Sequence, residues 1–515
     1  MNLSAKEKIG QRLVVGFPGT EIDSELEELI FQYKIGNFIL FKHNIISASQ
    51  LRDLCNKLQQ LALESTGYPA FITIDQEGGM VTRLAEDSVN IPGAMAIAAT
   101  NNVMNAYEAG KITGEQLKTL GVNFNLAPDV DINSNMDNPV IGVRSYGDDP
   151  KKVAEYSVAM VKGLLDSGVL ASAKHFPGHG DTNVDSHLGL PQVNKTLSQL
   201  QECELVSFQA VIDAGIPAIT TSHIIFPELE PEHIPATMSR NIITGLLKDK
   251  MGFQGLVVSD CMEMSAIQKY YGTIEGVKAA VKAGVDLIFL SHTRNYPIEA
   301  ATVLAAALEA GELSMEEMNA SVEKILHFKE KYVNLNETKL DFDVEKGKAF
   351  ARQLRKDSIT PIQMPTDTLP KVDANSLFLG SIPFRATNIS NVDDNTFHFA
   401  AYMAKQFNGR GILTSANPEE KEIETVLEQG EYASSIVIGT YNGHLNKGQL
   451  NLVKEASKKN QNVIVFALRN PYDLRTLPEN VYGIAAYEYT VNSLDVLTEL
   501  LKHPFELKGR LPIQM

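Results

Sequence analysis

The sequence predicts an α/β protein built from a (β/α)8 TIM-like barrel and a smaller α/β sandwich domain that follows it. Short apolar, β-branched runs alternate with longer amphipathic stretches, and this alternation is typical of parallel sheets. Eight units over about 300 residues fit a closed barrel, and a doubly wound open sheet is the competing arrangement. The eight runs are Arg12–Phe17, Asn37–Phe41, Ala70–Asp75, Asn123–Ala127, Ala171–Phe176, Ala218–His223, Gly255–Asp260 and Asp286–Ser291.

A second βα series predicts the C-terminal domain. The apolar periodicity breaks near residue 332, and the polar, Pro-containing stretch that follows is typical of a linker, with one helix around Gly347–Lys356. We therefore expect a barrel over residues 1–332, a linker over 333–370 and an α/β sandwich over 371–515. Apolar runs return as Leu377–Gly380, Gly411–Thr414, Ile436–Gly439, Val463–Leu468 and Gly483–Tyr487.

Composition argues against several classes of protein. The chain has 515 residues and a formal net charge of −17, which disfavours nucleic acid as a partner because phosphate binding needs clustered Lys and Arg. No window of about 20 apolar residues occurs, so no membrane span is expected. Three cysteines and an N-terminus without an apolar signal segment favour a reducing, cytoplasmic location. A neutral substrate such as a sugar is compatible with this charge.

Polar residues fall at the ends of the predicted strands. Asp75 ends the third run, His175 lies in the fifth, His223 ends the sixth and Asp260 ends the seventh. Active sites of (β/α)8 barrels lie at the carboxyl ends of the strands, and buried parallel strands otherwise read as nearly continuous apolar runs. These residues are therefore candidates for a functional site.

The densest polar segment is KHFPGHGDTNVDSH, which runs from Lys174 to His187 and leads from a strand end into a Gly-rich loop. Asp185 and His187 are two residues apart, so an extended loop places both side chains on one side. A carboxylate beside an imidazole favours the protonated form. Such a histidine can protonate a leaving oxygen and later deprotonate water. A loop Asx-turn with an incidental histidine is the alternative.

Three further segments carry charged residues of the kinds that sugar chemistry uses. Asp260 ends GLVVSD, where a carboxylate can attack an anomeric carbon, or where an aspartate can simply cap the next helix. Asp75 and Arg83 lie in DQEGGMVTR, and Arg144 lies in NPVIGVRSYG. Carboxylate acceptors and guanidinium donors suit sugar hydroxyls, although neither of these two segments identifies a site alone.

A metal site is a competing interpretation of the histidine-rich segment. His175 and His179 have a His-x3-His spacing, and Asp181, Asp185 and His187 follow. Pro177 and Gly178 stand between the two histidines and argue against the helix that this spacing requires. The chain also lacks the glycine-rich phosphate-binding motifs. These observations disfavour a metal site, which stays open as an alternative at this point.

The motifs together resemble glycoside hydrolase family 3. KHFPGHGDTNVDSH occurs with DQEGG followed by Arg83, then NPVIGVRSYG, TTSHI, PATMSR and GFQGLVVSDCMEMSAI. The resemblance spans residues 5–335 and is most specific to the β-N-acetylglucosaminidase branch. The C-terminal segment ALRNPYDL is similar to the second domain of the two-domain, Gram-positive type.

Carried over to this sequence, the resemblance implies a role for each candidate. It implies Asp260 as the nucleophile, His187 as the acid/base and Asp185 as the partner of His187. It implies no metal or organic cofactor. The residues implied to hold the hydroxyls of the terminal sugar are Asp75, Arg83, Arg144, Lys174 and His175.

Two features separate this chain from the β-glucosidase branch of the family. That branch usually follows its nucleophile with Trp and takes a Glu acid/base from another domain. Here Cys261 follows Asp260 and the chain contains no Trp. The resemblance therefore implies retaining, exo-acting hydrolysis of terminal β-linked N-acetylglucosamine from muropeptides or chitin fragments, and a place in peptidoglycan recycling.

Three rival functions stay open at this point. A phosphorylase could use the same residues, because a neutral histidine repels an incoming phosphate less than a carboxylate would. A metal-dependent hydrolase and a non-catalytic sugar-binding module are the others. In the second domain, Tyr441, His444, Arg469 and Asn470 are candidates only for an interface or for the rim of the site.

Overall fold

The structure of the protein is a computed structural model, which describes residues 3–182, 189–334, 341–383 and 397–515. Eight parallel strands close into a barrel in sequential order, and β1 pairs with β8. The predicted barrel is thereby confirmed, and the doubly wound alternative is wrong for this half of the chain. Its strands are β1 (Leu13–Val15), β2 (Asn37–Leu40), β3 (Phe71–Ile74), β4 (Phe124–Asn125), β5 (Leu170–Phe176), β6 (Ala218–Thr221), β7 (Leu256–Cys261) and β8 (Leu287–Leu290).

Helices surround the barrel and begin at residues that can cap them. Ser4 and Glu7 form a reciprocal capping box at the first helix, and Asp149 precedes a proline at the start of the sixth. A π-helix covers Asn241–Lys250. The α-helices are α1 (Ala5–Arg12), α2 (Ser24–Tyr33), α3 (Ala48–Thr66), α4 (Ala94–Ala99), α5 (Met104–Thr119), α6 (Pro150–Asp166), α7 (Leu197–Glu202), α8 (Glu204–Asp213), α9 (Ser265–Gln268), α10 (Thr273–Ala283), α11 (Asn295–Glu309) and α12 (Met315–Tyr332).

The barrel strands are buried on both faces, as their apolar sequences require. One apolar cluster fills the barrel interior and includes Val14, Phe71 and Phe289, while a larger one lies between the strands and the helices. Pairing shifts register between Ala173 and Phe176 in β5 and between Val258 and Cys261 in β7. Irregular pairing of this kind re-aims side chains, and it occurs here where the candidate residues lie.

The second domain is an α/β sandwich, as predicted. Its sheet has the order β11-β10-β12-β13-β14-β9, with β9 alone antiparallel to its neighbour, and apolar clusters cover both faces. Its elements are α13 (Val344–Ser358), β9 (Thr360–Gln363), β10 (Leu377–Ser381), α14 (Phe399–Phe407), β11 (Arg410–Thr414), α15 (Glu420–Glu428), β12 (Ile436–Thr440), α16 (Gly448–Lys459), β13 (Val463–Ala467), β14 (Val481–Ala485) and α17 (Val491–Lys502).

The range predicted as a linker contains two regular elements. Helix α13 packs against α4 of the barrel and α17 of the second domain, and β9 pairs with β14 at one edge of the second sheet. The boundaries at 332 and 370 remain predictions. None of the helices in the described ranges is both long and apolar enough to span a membrane.

Candidate active site

A group of interlocked charges lies at the carboxyl ends of β3, β4 and β5. The Nζ atom of Lys174 is 2.8 Å from Asp75 Oδ1 and 2.6 Å from Glu77 Oε1. Arg144, in the loop after β4, donates to both carboxylate oxygens of Glu77, at 2.8 and 2.7 Å. Arg83 Nη2 lies 3.8 Å from the second oxygen of Asp75. The structure therefore brings Asp75, Arg83, Arg144 and Lys174 together.

Glu77 is a member of this group that the sequence did not reveal. Its side chain is only 7% exposed and bridges Lys174 and Arg144. Burial raises the pKa of Glu77, but the charges of Arg144 and Lys174 outweigh burial and hold it well below its usual range. The signal was present in DQEGG, where a carboxylate stands beside two glycines, but its partners lie 67 and 97 residues away in the chain.

The tight turn after Glu77 depends on glycine. Gly78 has a φ of +97°, which disfavours other residues, and a Cβ there would lie 2.7 Å from the carbonyl oxygen of Ile91. Gln76 closes the turn because its side-chain oxygen accepts from the backbone N–H of Arg83 at 2.9 Å. This geometry holds Asp75, Glu77 and Arg83 on one short loop.

His175 is held by a second pair of carboxylates. Its Nδ1 atom lies 2.7 Å from Asp131 Oδ2, and its Nε2 atom faces Arg144 Nη2 at 3.3 Å. Since Arg144 only donates, the Nε2 atom accepts and Nδ1 carries the hydrogen. Burial, together with the charges of Arg144 and Lys174, lowers the pKa of His175 well below its usual value. His175 is therefore a neutral imidazole.

Asp129 and Asp131 form a buried carboxyl pair behind His175. Asp129 Oδ1 accepts from the backbone N–H of Asp131 at 2.9 Å, and its Oδ2 lies 3.4 Å from Arg144 Nη2. Burial and the neighbouring Asp131 charge raise the pKa of Asp129 well above its usual value. The group contains three cations, Arg83, Arg144 and Lys174, and four carboxyl groups. One proton shared by Asp129 and Asp131 leaves three negative charges, which equal the three positive ones.

Asp260 lies near the end of β7 and is partly exposed. Its Oδ1 atom accepts from the backbone N–H of Cys261 at 2.7 Å, and its charge acts on His175. His223, two residues after β6, bonds through Nε2 to the carbonyl oxygen of Cys261 at 2.9 Å. Asp260 therefore shares the mouth of the barrel with the charged group on β3 to β5.

Asp185 and His187 lie outside the described residues, so their predicted roles stay predictions. The segment leading toward them is well anchored. The backbone N–H of His179 donates to Asp131 Oδ1 at 2.7 Å, and the side-chain amide of Asn138 donates to the carbonyl oxygen of His179 at 2.8 Å. Lys195, which follows Asp185 and His187 in the chain, places its Nζ atom 2.9 Å from Asp181 Oδ2.

Within the part of the chain that the structure describes, the residues that could hold a metal make other contacts. Ligand atoms of Asp129, Asp131 and His175 lie within 4.8 Å of one another, but the Arg144 guanidinium lies against Asp129 and His175 at 3.4 and 3.3 Å. A cation would meet that fixed charge. His179 bonds through Nδ1 to Thr182 Oγ1 at 2.8 Å. The donor set therefore fits the positioning of Arg144 and His175 better than a metal ion.

The arrangement suits a ligand that is neutral and rich in hydroxyl groups. Carboxylates accept from hydroxyls, and ammonium and guanidinium groups donate to them. The charges already balance one another, so a neutral ligand needs no countercharge. A partly exposed carboxylate stands across the mouth of the same barrel. A fold and site of this kind suit a carbohydrate-active enzyme.

The chain belongs to glycosyl hydrolase family 3. Residues 4–328 match the N-terminal domain of that family. A beta-hexosaminidase A from Pseudoalteromonas piscicida is 30% identical over 95% of this chain and 92% of its own length. The protein is therefore a glycoside hydrolase, and the predicted family and enzyme class are confirmed.

Solved structures agree with this assignment. The family 3 beta-N-acetylglucosaminidase from Paenibacillus sp. str. FPU-7 superposes with a TM-score of 0.90 at 35% identity and covers 99% of both chains. A beta-glucoside phosphorylase bound to 2FGlc superposes with a TM-score of 0.83 at 21% identity, over 100% of this chain and 94% of its own. That second likeness shows the fold alone.

Proposed function

We propose that this glycoside hydrolase is a retaining exo-β-N-acetylglucosaminidase. The observation that carries the proposal is the joint placement of the charged group on β3 to β5 and of Asp260 on β7 at one end of the barrel. The name of the Paenibacillus relative, which aligns over nearly the whole chain, supports N-acetylglucosamine as the sugar. Muropeptides and short chitin fragments are the substrates we propose.

The terminal sugar binds to the charged group. Asp75 accepts from its hydroxyls, while Lys174, Arg83 and Arg144 donate to them. His175 is fixed in orientation by Asp131 and contributes a ring edge. Glu77 and Asp131 hold these donors in place before the sugar arrives, which reduces the entropic cost of binding.

Asp260 is the nucleophile in the first step. One of its oxygens attacks the anomeric carbon, the bond from that carbon to the glycosidic oxygen breaks, and His187 protonates the departing oxygen. The Cys261 N–H, 2.7 Å from Asp260 Oδ1, orients the carboxylate. The product of this step is a covalent glycosyl–Asp260 ester.

Water completes the cycle with retention of configuration. His187 takes a proton from water, whose oxygen attacks the anomeric carbon and releases Asp260 as a carboxylate. Asp185 holds His187 in the tautomer that these transfers need. Two inversions at one carbon restore the β configuration. The cytoplasmic location and the part in peptidoglycan recycling stay predictions.

Turnover of an aryl β-N-acetylglucosaminide by wild type, Asp260→Ala and His187→Ala tests the mechanism. Asp260→Ala should be nearly inactive. His187→Ala should keep most activity on aglycones that leave easily, because these need little protonation. Near-normal activity of Asp260→Ala would contradict Asp260 as the nucleophile. An equal loss of activity in His187→Ala on substrates with good and poor leaving groups would contradict His187 as the acid.

The same assay separates hydrolysis from the rival reactions. Free N-acetylglucosamine as the product in both phosphate-free and phosphate buffer supports hydrolysis, whereas a sugar phosphate formed in phosphate buffer would make the enzyme a phosphorylase. Unchanged activity after exhaustive chelation removes the metal-dependent hydrolase. Binding of glycans without any turnover would instead favour a sugar-binding module.

A further inference from the structure

The loop between β4 and α6, which carries Arg144, lies against the second domain along its length. The Asn133 side-chain amide donates to the hydroxyl oxygen of Tyr472 at 3.0 Å. The carbonyl oxygen of Met136 accepts from His444 Nε2 at 3.1 Å. At the far end, the backbone N–H of Gln514 donates to Asp148 Oδ2 at 2.6 Å. The second domain therefore holds this loop at several separated points.

The second domain also packs tightly directly beside Arg144. A Cβ on Gly142 would lie 2.3 Å from Asn470 Oδ1, so the loop backbone rests on the Asn470 side chain. Gly142 also has a φ of +46°, which disfavours a larger residue. The next residue, Val143, packs into the apolar cluster of the second domain with Tyr472. Arg144 directly follows Val143, so the packing of Gly142 and Val143 on the second domain supports the backbone that carries Arg144. The Arg144 side chain then bonds Glu77.

Apart from Gln514, which lies near the C-terminus, the second-domain residues named in these contacts come from one edge of its sheet. Residues 441–444 follow β12, and residues 469–473 follow β13. Carboxyl ends of neighbouring parallel strands meet at a common edge, where open α/β sheets bind their ligands. Here the barrel loop occupies that edge. Three of the sequence candidates, His444, Arg469 and Asn470, therefore lie in an interface that serves the barrel. Arg469 Nη2 donates to the carbonyl oxygen of Pro139, in the same loop, at 3.4 Å.

The His444 side chain links the two domains. Its Nδ1 atom lies 2.9 Å from Asp473 Oδ1, and its Nε2 atom lies 3.1 Å from the carbonyl oxygen of Met136. Its backbone N–H also donates to Asp473 Oδ1, at 2.8 Å. One side chain therefore contacts both a buried carboxylate of the second domain and the barrel loop.

The braced loop also supports the segment that precedes Asp185 and His187. The Asn138 side-chain amide donates to the carbonyl oxygen of His179 at 2.8 Å and to Thr182 Oγ1 at 3.3 Å. Its side-chain oxygen accepts from the backbone N–H groups of Val140 and Ile141, at 2.8 and 2.9 Å. One loop thus connects the second domain to two parts of the site.

We propose that the second domain positions the sugar-binding arginine, with His444, Asn470 and Tyr472 as positioning residues for Arg144. The domain supplies no reacting group in this assignment. The second domain fixes the loop after β4, and this loop in turn positions the Arg144 guanidinium, which also bonds the Glu77 carboxylate. The effect on substrate rests on the proposed role of Arg144 in holding the terminal sugar, whereas the bracing of the loop does not.

Tyr472→Phe in the full chain tests the proposal with the least disturbance, because it removes one hydroxyl and keeps the packed ring. We expect KM for an aryl β-N-acetylglucosaminide to rise about two- to tenfold, the scale of one lost hydrogen bond, with kcat within about twofold. Deuterium uptake over residues 133–147 should become faster. Tyr482→Phe is the matched control, since its hydroxyl bonds Thr366 within the second domain at 2.8 Å, and it should change neither readout.

A double-variant cycle shows whether Tyr472 acts through Arg144. In an Arg144→Ala background, Tyr472→Phe should have no further effect on KM. An unchanged KM and unchanged deuterium uptake in Tyr472→Phe would overturn the proposal, as would a KM effect that persists fully without Arg144. If Arg144→Ala itself leaves KM unchanged, the proposed sugar-binding role fails, and faster deuterium uptake over residues 133–147 still supports the brace.

His444→Gln provides a second, stronger perturbation. It removes the imidazole ring that contacts both Asp473 and the carbonyl oxygen of Met136, and we expect a larger rise in KM than for Tyr472→Phe. His503→Gln is its control, because His503 is exposed at the end of α17. Should His444→Gln fail to fold, Tyr472→Phe decides alone. A folded His444→Gln protein with wild-type KM and wild-type deuterium uptake would contradict the proposal.

Discussion

The two sides of the barrel mouth are built differently. On β3 to β5, Lys174 and Arg144 are buried and already paired with Glu77 at distances of 2.6 to 2.8 Å. On β7, Asp260 is partly exposed and accepts from the backbone N–H of its neighbour. The first side is assembled before any ligand arrives, and the second keeps a carboxylate open to an approaching atom. On the proposed mechanism, this difference separates the residues that hold the sugar from the residue that reacts with it.

Asp260→Asn should break the reacting side and leave the holding side intact. We expect kcat to fall by about 10³-fold or more, because an amide is a poor nucleophile. Binding of N-acetylglucosamine, measured by calorimetry, should stay within about threefold of wild type. Asp213→Asn is the control, since Asp213 is exposed at the end of α8 and accepts from the Gln209 side-chain amide through Oδ1 at 2.8 Å, a bond that an amide oxygen keeps. A loss of sugar binding equal to the loss of turnover would erase the contrast.

Glu77→Gln should break the holding side. Removing one member of a buried ion pair costs about 3–5 kcal/mol in stability, and KM should rise by about tenfold or more as Arg144 and Lys174 lose their shared anchor. Asp286→Asn is the control at the opposite end of the same barrel, where Asp286 pairs with Lys324 at 3.1 Å.

Both variants should lower the melting temperature, but only Glu77→Gln should raise KM. The pH dependence of Glu77→Gln provides a further check. The charge of Glu77 raises the pKa of Lys174, against the lowering effect of burial. Without the Glu77 charge, Lys174 should lose its proton at a lower pH. The fall of kcat/KM on the alkaline side should therefore begin at a lower pH than in wild type. An alkaline limb at the wild-type pH would contradict an effect of Glu77 on the pKa of Lys174.

Asp129→Asn tests whether the charges on the holding side are balanced by a proton on Asp129. Because burial raises the folded-state pKa of Asp129, the folded protein keeps a proton that the unfolded chain releases above about pH 4. The stability of wild type relative to Asp129→Asn should therefore be highest at low pH. It should fall as the pH rises through the folded-state pKa. Urea unfolding of both proteins across this range measures the difference, and a difference that grows with pH would have the wrong sign.

Cys261→Ser should have the smallest effect. Burial raises the pKa of the Cys261 thiol to about 12, so the thiol stays protonated and takes no part in the chemistry, while its backbone N–H orients Asp260. We expect kcat/KM within about threefold of wild type. Alkylation with iodoacetamide near pH 8 should be slow at this position. Rapid inactivation through Cys261 would contradict the assignment.

Local sequence patterns predicted most of the barrel. Strand and helix periods, and polar residues at strand ends, are set by neighbours in the chain, so they located β1 to β8, Asp75 and Asp260. Strand β9 was missed, because Pro361 interrupts its pattern and the range was predicted to be a linker. Proline is tolerated there because β9 lies at the edge of the sheet.

Long-range pairing could not be inferred from the sequence. Glu77 gains its meaning from Lys174 and Arg144, and Asp131 gains its meaning from His175, all of them on other strands or loops. The contact between His444 and Met136 joins residues 308 positions apart. Such pairs depend on how the elements pack, and neither residue type nor local spacing marks them.

Trapping the covalent intermediate tests the central claim most directly. A 5-fluoro-N-acetylglucosaminyl fluoride slows both steps while the good leaving group lets the ester form. Incubation followed by proteolysis and mass spectrometry should locate one fluorosugar on the peptide that contains Asp260, and Asp260→Asn should gain none. An adduct on another residue, or release of fluoride without any adduct under the same conditions, would contradict Asp260 as the nucleophile of a retaining enzyme.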